Sequence, residues 1–465
     1  MIFNVENLGA IQHAEIDLSK DLILFCGHNN TGKTYLAYAI YYFLDIPIGT
    51  FHFGFPILDS QSDIARKIQA EVDKSIDNND KEVTTFHVNL VELFCHLSEK
   101  EKENLLDYII KNYAVGLGEF FGASDSSLFL LTKFSVLFSD EEINNGLLRI
   151  EIQLTNDQEL KLSKLKNSPY FNIILDKNSN ITSTDISYTI QHLILNSVFF
   201  SRRFIFTAER SAINLFSKEL FLTKNKLFNT LLSAGKQAED MLNLARQRVN
   251  RYAEPVRDNL EIAEDLSNLA KNISEFNQLA EELEKNVLGG KIHVSQYGDL
   301  TYSPVHAPNV ALGMELSSST VGSLSSLVFY LRHLAKKGDT LIIDEPELSL
   351  HPDNQRLIAR FFGRLINAGF KLIVSTHSDY IVREINNLIM LSKKSRKTAG
   401  LRKKYGYTQA QVLQPQQIGA YLFKRGEPSP ISIEVGETGL EISTIDEVVA
   451  DLNQSSQDIY FSLFD

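Results

Sequence analysis

The period of the hydrophobic pattern changes several times along this chain, and each change marks an element. Ile2–Val5 is short and apolar-rich, Ala14–Leu18 alternates, and Leu22–Cys26 is an unbroken apolar run of the kind a parallel strand shows when both its faces are buried. A glycine-bearing loop follows, and Tyr35–Leu44 then predicts a helix, so the chain opens with a strand–loop–helix unit. Beyond it, Ser62–Ser75 and Glu101–Tyr113 predict helices. Leu147–Leu154 and Glu159–Leu162 predict a strand hairpin, Tyr170–Leu175 a further strand, Ile186–Val198 a helix and Phe204–Phe206 a short buried strand.

Two apolar series with steps of three and four occupy the middle of the chain. One runs Leu231, Ala234, Ala238, Met241, Ala245, Val249, Tyr252, and the other Leu266, Leu269, Ile273, Phe276, Ala280, Leu283, Val287. Each is the seam of a helix packed on another helix. Pro255 lies between them, where a continuous helix breaks. The expectation is a helical hairpin over 217–288, either projecting as a short coiled coil or lying flat on the body. Strands resume at Lys291–Val294 and Asp299–Tyr302, and helices are expected after Thr320 and over Asn354–Ala368. Gly419–Phe423 and Ile431–Val435 alternate around the turn Gly426-Glu427-Pro428, and Thr444 with Glu447 has the spacing of a capping box for a last helix. The segments are therefore 1–50, a lobe with the glycine loop; 51–200, an insertion; 201–216, a return strand; 217–288, the hairpin; 289–404, the second half of the core; and 405–465, a tail of hairpin and helix.

Composition narrows the setting. Hydrophobic residues make up 43 % of the 465 positions and charged ones 22 %, as in an ordinary globular protein. No apolar run is long enough for a membrane span, the N-terminus does not read as a signal peptide, and two cysteines, Cys26 and Cys95, make no disulfide framework. A cytoplasmic protein with no membrane contact is expected. The net charge of −12 argues against a surface coated with nucleic acid but leaves one basic groove open. The basic run Lys393, Lys394, Arg396, Lys397, Arg402, Lys403, Lys404 is either a solvated surface or a contact for phosphates or an acidic partner.

Three segments carry chemistry. Gly27-His28-Asn29-Asn30-Thr31-Gly32-Lys33-Thr34 fits G-x-x-x-x-G-K-[ST] in full. Its glycines let backbone amides turn inward onto phosphate, and the following helix aims its positive end at the same anion. Lys33 adds a charge for the β- and γ-phosphates, and Thr34 a hydroxyl for Mg²⁺. Thr340–Pro346 is an apolar strand ending in two adjacent acids, which repel unless a cation or proton is shared. In a nucleotide site Asp344 holds the magnesium shell and Glu345 activates the attacking water. Lys371–Ser378 repeats the design and ends at His377, a candidate for γ-phosphate contact. Leu316-Ser317-Ser318-Ser319-Thr320 precedes an apolar helix and reads as an anion site at a helix N-terminus or as a plain capping cluster.

The order of these parts resembles the ABC-type ATPases. Phosphate loop, long insertion, small-residue signature, Leu341–Pro346, Ser349-Leu350-His351-Pro352 and Ser375-Thr376-His377-Ser378 follow one another as in that class. The likeness is strongest to the soluble branch of chromosome-maintenance, recombination and overcoming-lysogenization-defect ATPases, through Asp344–Pro352. Thr207-Ala208-Glu209-Arg210-Ser211 is similar to an A-E-R-S segment in bacterial members. Several members are ATPase subunits of anti-phage systems such as Septu and PARIS. The motifs cover roughly 1–45 and 300–385, the remainder carrying a looser likeness. Two departures stand out. The usual signature is L-S-G-G-Q, whereas Ser318 and Ser319 stand at both glycine positions, which implies weaker or slower closure. The glutamine-loop residue is also not identifiable, with Glu209 and Arg210 near its expected place.

The resemblance implies an α/β fold, with a mostly parallel core sheet, an antiparallel lobe, helical insertions and the short hairpin. It implies ATP and Mg²⁺ as cofactors, slow hydrolysis, and a homodimer or higher homo-oligomer. Each site would combine Gly27–Thr34, Asp344, Glu345 and His377 of one chain with Ser317, Ser318 and Ser319 of the other. Three functions follow as expectations: a sensor or scaffold controlling a separately encoded effector, a nuclease or toxin; a DNA-binding repair or recombination ATPase; and a scaffold glued by ATP with little turnover.

Overall fold

The protein is described from a computed structural model. It describes residues 1–44, 83–95, 116–176 and 202–219 with short breaks, and 252–464, besides isolated positions. The helices expected over Ser62–Ser75, Glu101–Tyr113 and Ile186–Val198 lie largely outside them, as does the first arm of the hairpin. In chain order the strands are β1 (Ile2–Leu8), β2 (Ile11–Asp17), β3 (Leu22–Gly27), β4 (Val83–Asn89), β5 (Lys133–Leu137), β6 (Ile152–Asn156), β7 (Leu160–Lys164), β8 (Tyr170–Asp176), β9 (Arg203–Phe206), β10 (Gly290–Val294), β11 (Leu300–Pro304), β12 (Leu312–Gly313), β13 (Thr340–Asp344), β14 (Lys371–Thr376), β15 (Ile418–Phe423) and β16 (Ile431–Ile433). The main helices are α1 (Lys33–Leu44), α2 (Leu90–Cys95), α3 (Asp140–Arg149), α4 (Glu254–Glu264), α5 (Asn277–Leu283), α6 (Ser319–His333), α7 (Pro352–Asn367), α8 (Asp379–Met390), α9 (Arg396–Tyr405) and α10 (Ser443–Phe464). Among the described residues no helix is long and apolar enough to cross a membrane.

The chain divides into two compact units. One comprises Met1–Val5, Tyr42–Val115 and Thr132–Ser201. It holds an antiparallel sheet of order β4-β8-β7-β6, in which Phe86 faces Ile173 and Ile173 faces Leu162. The hairpin expected from Leu147 begins later. Residues up to Arg149 form α3, and the strand starts at Ile152 to pair with β7.

The second unit comprises Glu6–Tyr41, Gly116–Leu131 and Arg202–Asp465, and is built on a six-stranded sheet of order β16-β15-β3-β14-β13-β9. Every neighbouring pair from β15 to β9 is parallel, and β16 closes one edge as an antiparallel hairpin partner of β15. The alternation of Gly419–Phe423 therefore belongs to the core sheet as well as to a hairpin, because β15 lies directly beside β3. All six residues of β3 and all five of β13 are buried, which accounts for their unbroken apolar runs.

Helices cover the sheet where apolar stripes demand it. α7 buries Ile358, Phe361, Phe362, Leu365 and Ile366, and α8 buries Ile381, Ile385, Leu388 and Ile389. Glu384 on α8 receives Arg356 at 3.0 Å and Arg360 at 2.5 Å from α7, so the buried carboxylate is matched by two guanidiniums. The second arm of the expected hairpin is not one helix. After the turn Leu266–Leu269 the chain leaves helical geometry, re-forms α5 and ends in a π-helical turn, Glu284–Leu288. Its apolar positions pack within this second unit: Leu279, Ala280 and Leu283 join the core containing α6, and the Phe276 ring lies 4.6 Å from Phe370. Pro255 falls in the first turn of α4, where its missing N–H is harmless. α10 begins at Ser443, which places Thr444 inside the helix rather than at its cap. Along α10 the described side chains from Glu447 onward are exposed, among them Val448, Leu452, Ile459 and Leu463.

Gly363 shows which effect dominates at a close contact. In the middle of α7, alanine is intrinsically better than glycine by roughly 1 kcal/mol. A Cβ at Gly363 would, however, sit 2.1 Å from the backbone carbonyl oxygen of Gln411, in a turn that cannot rotate aside. Gly363→Ala is expected to destabilise the fold by about 1–3 kcal/mol in urea unfolding. Stabilisation would show that the Gln409–Gln411 turn yields freely.

Candidate nucleotide site

The parallel register delivers the chemistry to one sheet edge. Cys26 pairs with Thr376 and Ser375 with Asp344, so the ends of β3, β14 and β13 lie side by side. The loop after β3 needs unusual backbone: Gly27, Asn30 and Gly32 have φ of 121°, 63° and 97°. A Cβ at Gly27 would meet the Phe423 carbonyl at 2.1 Å, and that same carbonyl accepts the His28 N–H at 2.9 Å. Lys33 is buried at the start of α1, and its ammonium donates to the carbonyls of Gly27 and His28. Burial pulls its pKa down to about 8, against the pull of Glu345 and Asp344, so it stays protonated at neutral pH.

Asp344 is 1 % exposed and accepts from Thr34 Oγ1 at 3.1 and 3.2 Å and from Ser375 Oγ. Burial raises its pKa to about 6 despite those hydrogen bonds. A carboxylate and a hydroxyl converging on one point are hard oxygen donors of the kind Mg²⁺ takes, and a cation there would restore the charge that burial disfavours. Glu345 follows with φ of 47°, rare for a residue with a side chain. Its N–H donates to the Ser375 carbonyl at 3.1 Å, and its Oε1 lies 3.3 Å from His377 Nε2. The His377 hydrogen bond holds the Glu345 carboxyl below its ordinary range. Ser378 caps α8 through the Ile381 N–H, which fixes the turn carrying His377.

Ser318 caps α6, accepting from the Val321 N–H, while Ser317 Oγ donates to the Met314 carbonyl and Ser319 opens the helix. The serine cluster thus sits at the N-terminus of α6, within the same unit as the loop and the acids.

Two further residues of the site belong to segments noted for resemblance but given no chemical role in the sequence. Glu347 accepts from Thr376 Oγ1 at 2.9 Å and from the His377 N–H at 2.5 Å, clamping the histidine turn to the acidic turn. Burial raises its pKa. Arg210, 3 % exposed, donates from Nη1 to the carbonyls of Thr207 and Asp344 at 3.0 and 2.8 Å, from Nη2 to that of Glu345 at 2.9 Å, and from Nε to Ser323 O and Oγ at 3.0 and 3.2 Å. Of the two residues near the expected glutamine-loop position, Arg210 is thus buried beneath the acids. Glu209 is exposed, and its charge is felt by Asp344. The faint sequence signal was an Ala-Glu-Arg-Ser run directly after a buried strand.

A glycine loop between strand and helix, a buried Asp–Thr pair and a Glu–His pair at the next strand end define a P-loop ATPase of mixed α/β fold. Residues 1–382 match the AAA ATPase domain family, and the chain belongs to it. Among solved structures, the chain is matched to an Smc head domain with an extended coiled coil bound to the C-terminal domain of ScpA from Pyrococcus furiosus. It is 12 % identical, with a TM-score of 0.32 over 98 % of both chains. Another is an Smc head bound to the C-terminal winged-helix domain of ScpA, 11 % identical, with a TM-score of 0.29 over 82 % of this chain and 91 % of that one. No curated protein sequence matches the chain.

Glu347→Gln should loosen the histidine turn, because the amide keeps one acceptor and turns an N–H₂ toward the second donor. The expected cost is about 1–3 kcal/mol in chemical unfolding. An unchanged unfolding midpoint would mean that the clamp contributes nothing.

Proposed function

We propose that this chain binds ATP with Mg²⁺ and hydrolyses it slowly, and that two copies close around the nucleotides to control a separate effector in bacterial anti-phage defence. The nucleotide part rests on one observation: Lys33, Thr34, Asp344, Glu345 and His377 converge at aligned strand ends. In this reading the amides of Gly27–Thr34, with His28, Asn29, Asn30 and Thr31 between the glycines, and the Lys33 ammonium hold the phosphates. Thr34 and Asp344 would hold Mg²⁺, which when bound neutralises charge on the β- and γ-phosphates. Glu345 takes the proton of the attacking water. Its hydrogen bond from His377 keeps it ionised and weakly basic, in keeping with slow turnover. His377 orients the same water and contacts the γ-phosphate.

The signature serines act in trans. Ser317, Ser318 and Ser319 at the N-terminus of α6 would meet the γ-phosphate held by a second copy, making a homodimer the minimal active form. The effector, a nuclease or toxin encoded nearby, would dock on 217–288 or on the tail. The exposed apolar positions of α10 and the likeness to defence ATPases support this part. Direct DNA binding is the second reading, favoured by the exposed Arg396, Lys397, Lys403 and Lys404 on α9.

Lys33→Ala should abolish tight ATP–Mg²⁺ binding in equilibrium titration. Glu345→Gln should keep binding but lower phosphate release by about 10²-fold or more. Parental turnover in Glu345→Gln would refute the assignment of the base. With ATP, Glu345→Gln should sediment as a dimer, and adding Ser318→Arg should return it to monomers. A dimer indifferent to both nucleotide and Ser318→Arg would refute the sandwich. Because β15 is part of the core sheet, the effector reading is tested by removing residues 443–465 alone or by deleting 217–251. Co-purification of the neighbouring gene product should fail in one of the two. Tight DNA binding by the chain alone at physiological salt, abolished by charge reversal on α9, would replace effector control with the second reading.

A further inference from the structure

Arg210 joins three parts that the sequence keeps far apart. It lies at the start of a helical segment after β9, its guanidinium is buried, and all three of its nitrogens are engaged. One side grips the main chain of the acid pair through the carbonyls of Asp344 and Glu345, and the other grips Ser323, in the second turn of α6. Two further contacts run parallel to this bridge: Ser323 Oγ donates to the Leu348 carbonyl at 3.2 Å and Thr320 Oγ1 to the Ser349 carbonyl at 3.1 Å. The turn so held is conformationally tight, with Glu345 and Ser349 at φ of 47° and 64°. A backbone in that region keeps its shape only when its surroundings fix it.

The consequence is geometric. The N-terminus of α6 carries Ser317–Ser319, the serines assigned above to the nucleotide of the second copy. The carbonyl of Glu345 belongs to the residue assigned as base for the chain's own nucleotide. A rigid planar fork between them moves both together, since five donors in fixed geometry cannot follow one partner and keep the other. We infer that Arg210 is a positioning residue that couples the two nucleotide sites of a dimer: engagement of α6 by the partner's nucleotide sets, through Ser323 and the guanidinium, the orientation of the Glu345 carboxylate. The inference rests on the sandwich reading above. It adds to that reading which residue carries the signal and in which direction.

A lysine at 210 keeps the charge but offers a single flexible ammonium that cannot span Ser323, Asp344 and Glu345 at once. Arg210→Lys should therefore leave the ATP dissociation constant within about threefold of the parent and lower kcat by on the order of 10–10²-fold, as misplaced catalytic groups do. Far-UV circular dichroism and the melting temperature establish that the variant is folded. Ser323→Ala, which removes one rung of the same bridge and is the milder change, should show the same split between binding and turnover at smaller amplitude. The decisive measurement is a double-mutant cycle with Ser318→Arg, read as kcat. If Arg210 relays the signature, the double variant turns over no more slowly than the slower single variant; a guanidinium that merely props up Glu345 gives losses that multiply. Multiplying losses, or a kcat unchanged in both Arg210→Lys and Ser323→Ala, overturn the inference while leaving the sandwich standing. A parental chain whose turnover ignores Ser318→Arg overturns the sandwich reading, and the coupling falls with it.

Discussion

The in-register parallel pairing of β15, β3, β14, β13 and β9 is the constraint on which the rest of the structure depends. Gly27 stands opposite Phe423, Cys26 opposite Thr376, Ser375 opposite Asp344, and Ile343 opposite Phe206. Side chains alternate faces along a strand, so a slip of one residue in any of these pairs would turn Asp344 or Ser375 away from its neighbours. The buried aliphatic runs hold the register, and the register places the polar residues. Apolar residues such as Leu22, Ile342 and Ile373, which take no part in chemistry, therefore decide where the ionisable groups meet.

Those groups are costly to bury, and the structure offsets the cost locally. Asp344 has two hydroxyl donors, Glu347 a hydroxyl and an amide, and Glu384 two guanidiniums. Arg210 exchanges its water for four carbonyls and a hydroxyl, leaving its charge to be balanced at longer range by Asp344, Glu347 and Glu345. A nucleotide site built this way has little slack, because each acid is held by a segment that also holds another acid.

How much of this could be read beforehand follows from distance along the chain. The glycine loop, the strand ending in Asp344-Glu345 and the strand ending before His377 are contiguous patterns, and each forms the element its pattern demands. The clamp from Glu347 to His377 spans thirty residues and the bonds of Arg210 to the acid pair span 134 and 135, and no local period reports such partners. Periodicity also shows that a face is buried without saying what covers it. The steps of three and four from Leu266 to Val287 suggested a helix seam, yet Leu266, Leu279 and Leu283 are divided between two short helical pieces that share the α6 core. Near Leu147 the apolar run Leu147-Leu148 completes a helix instead of opening a strand, a distinction that two residues cannot signal.

β15 bears on what counts as a domain here. The family match ends at residue 382, inside α8, whereas the strand flanking β3 comes from Ile418–Phe423. The carbonyl of Phe423 is the acceptor for the first amide of the phosphate loop and lies where a side chain on Gly27 would stand. A fragment cut at the homology boundary would lose most of α8, uncover the edge of β3, and leave the loop without its outer wall. The heritable unit and the folding unit therefore differ in this chain: what similarity recognises as the ATPase stops short of what the phosphate loop needs to keep its shape.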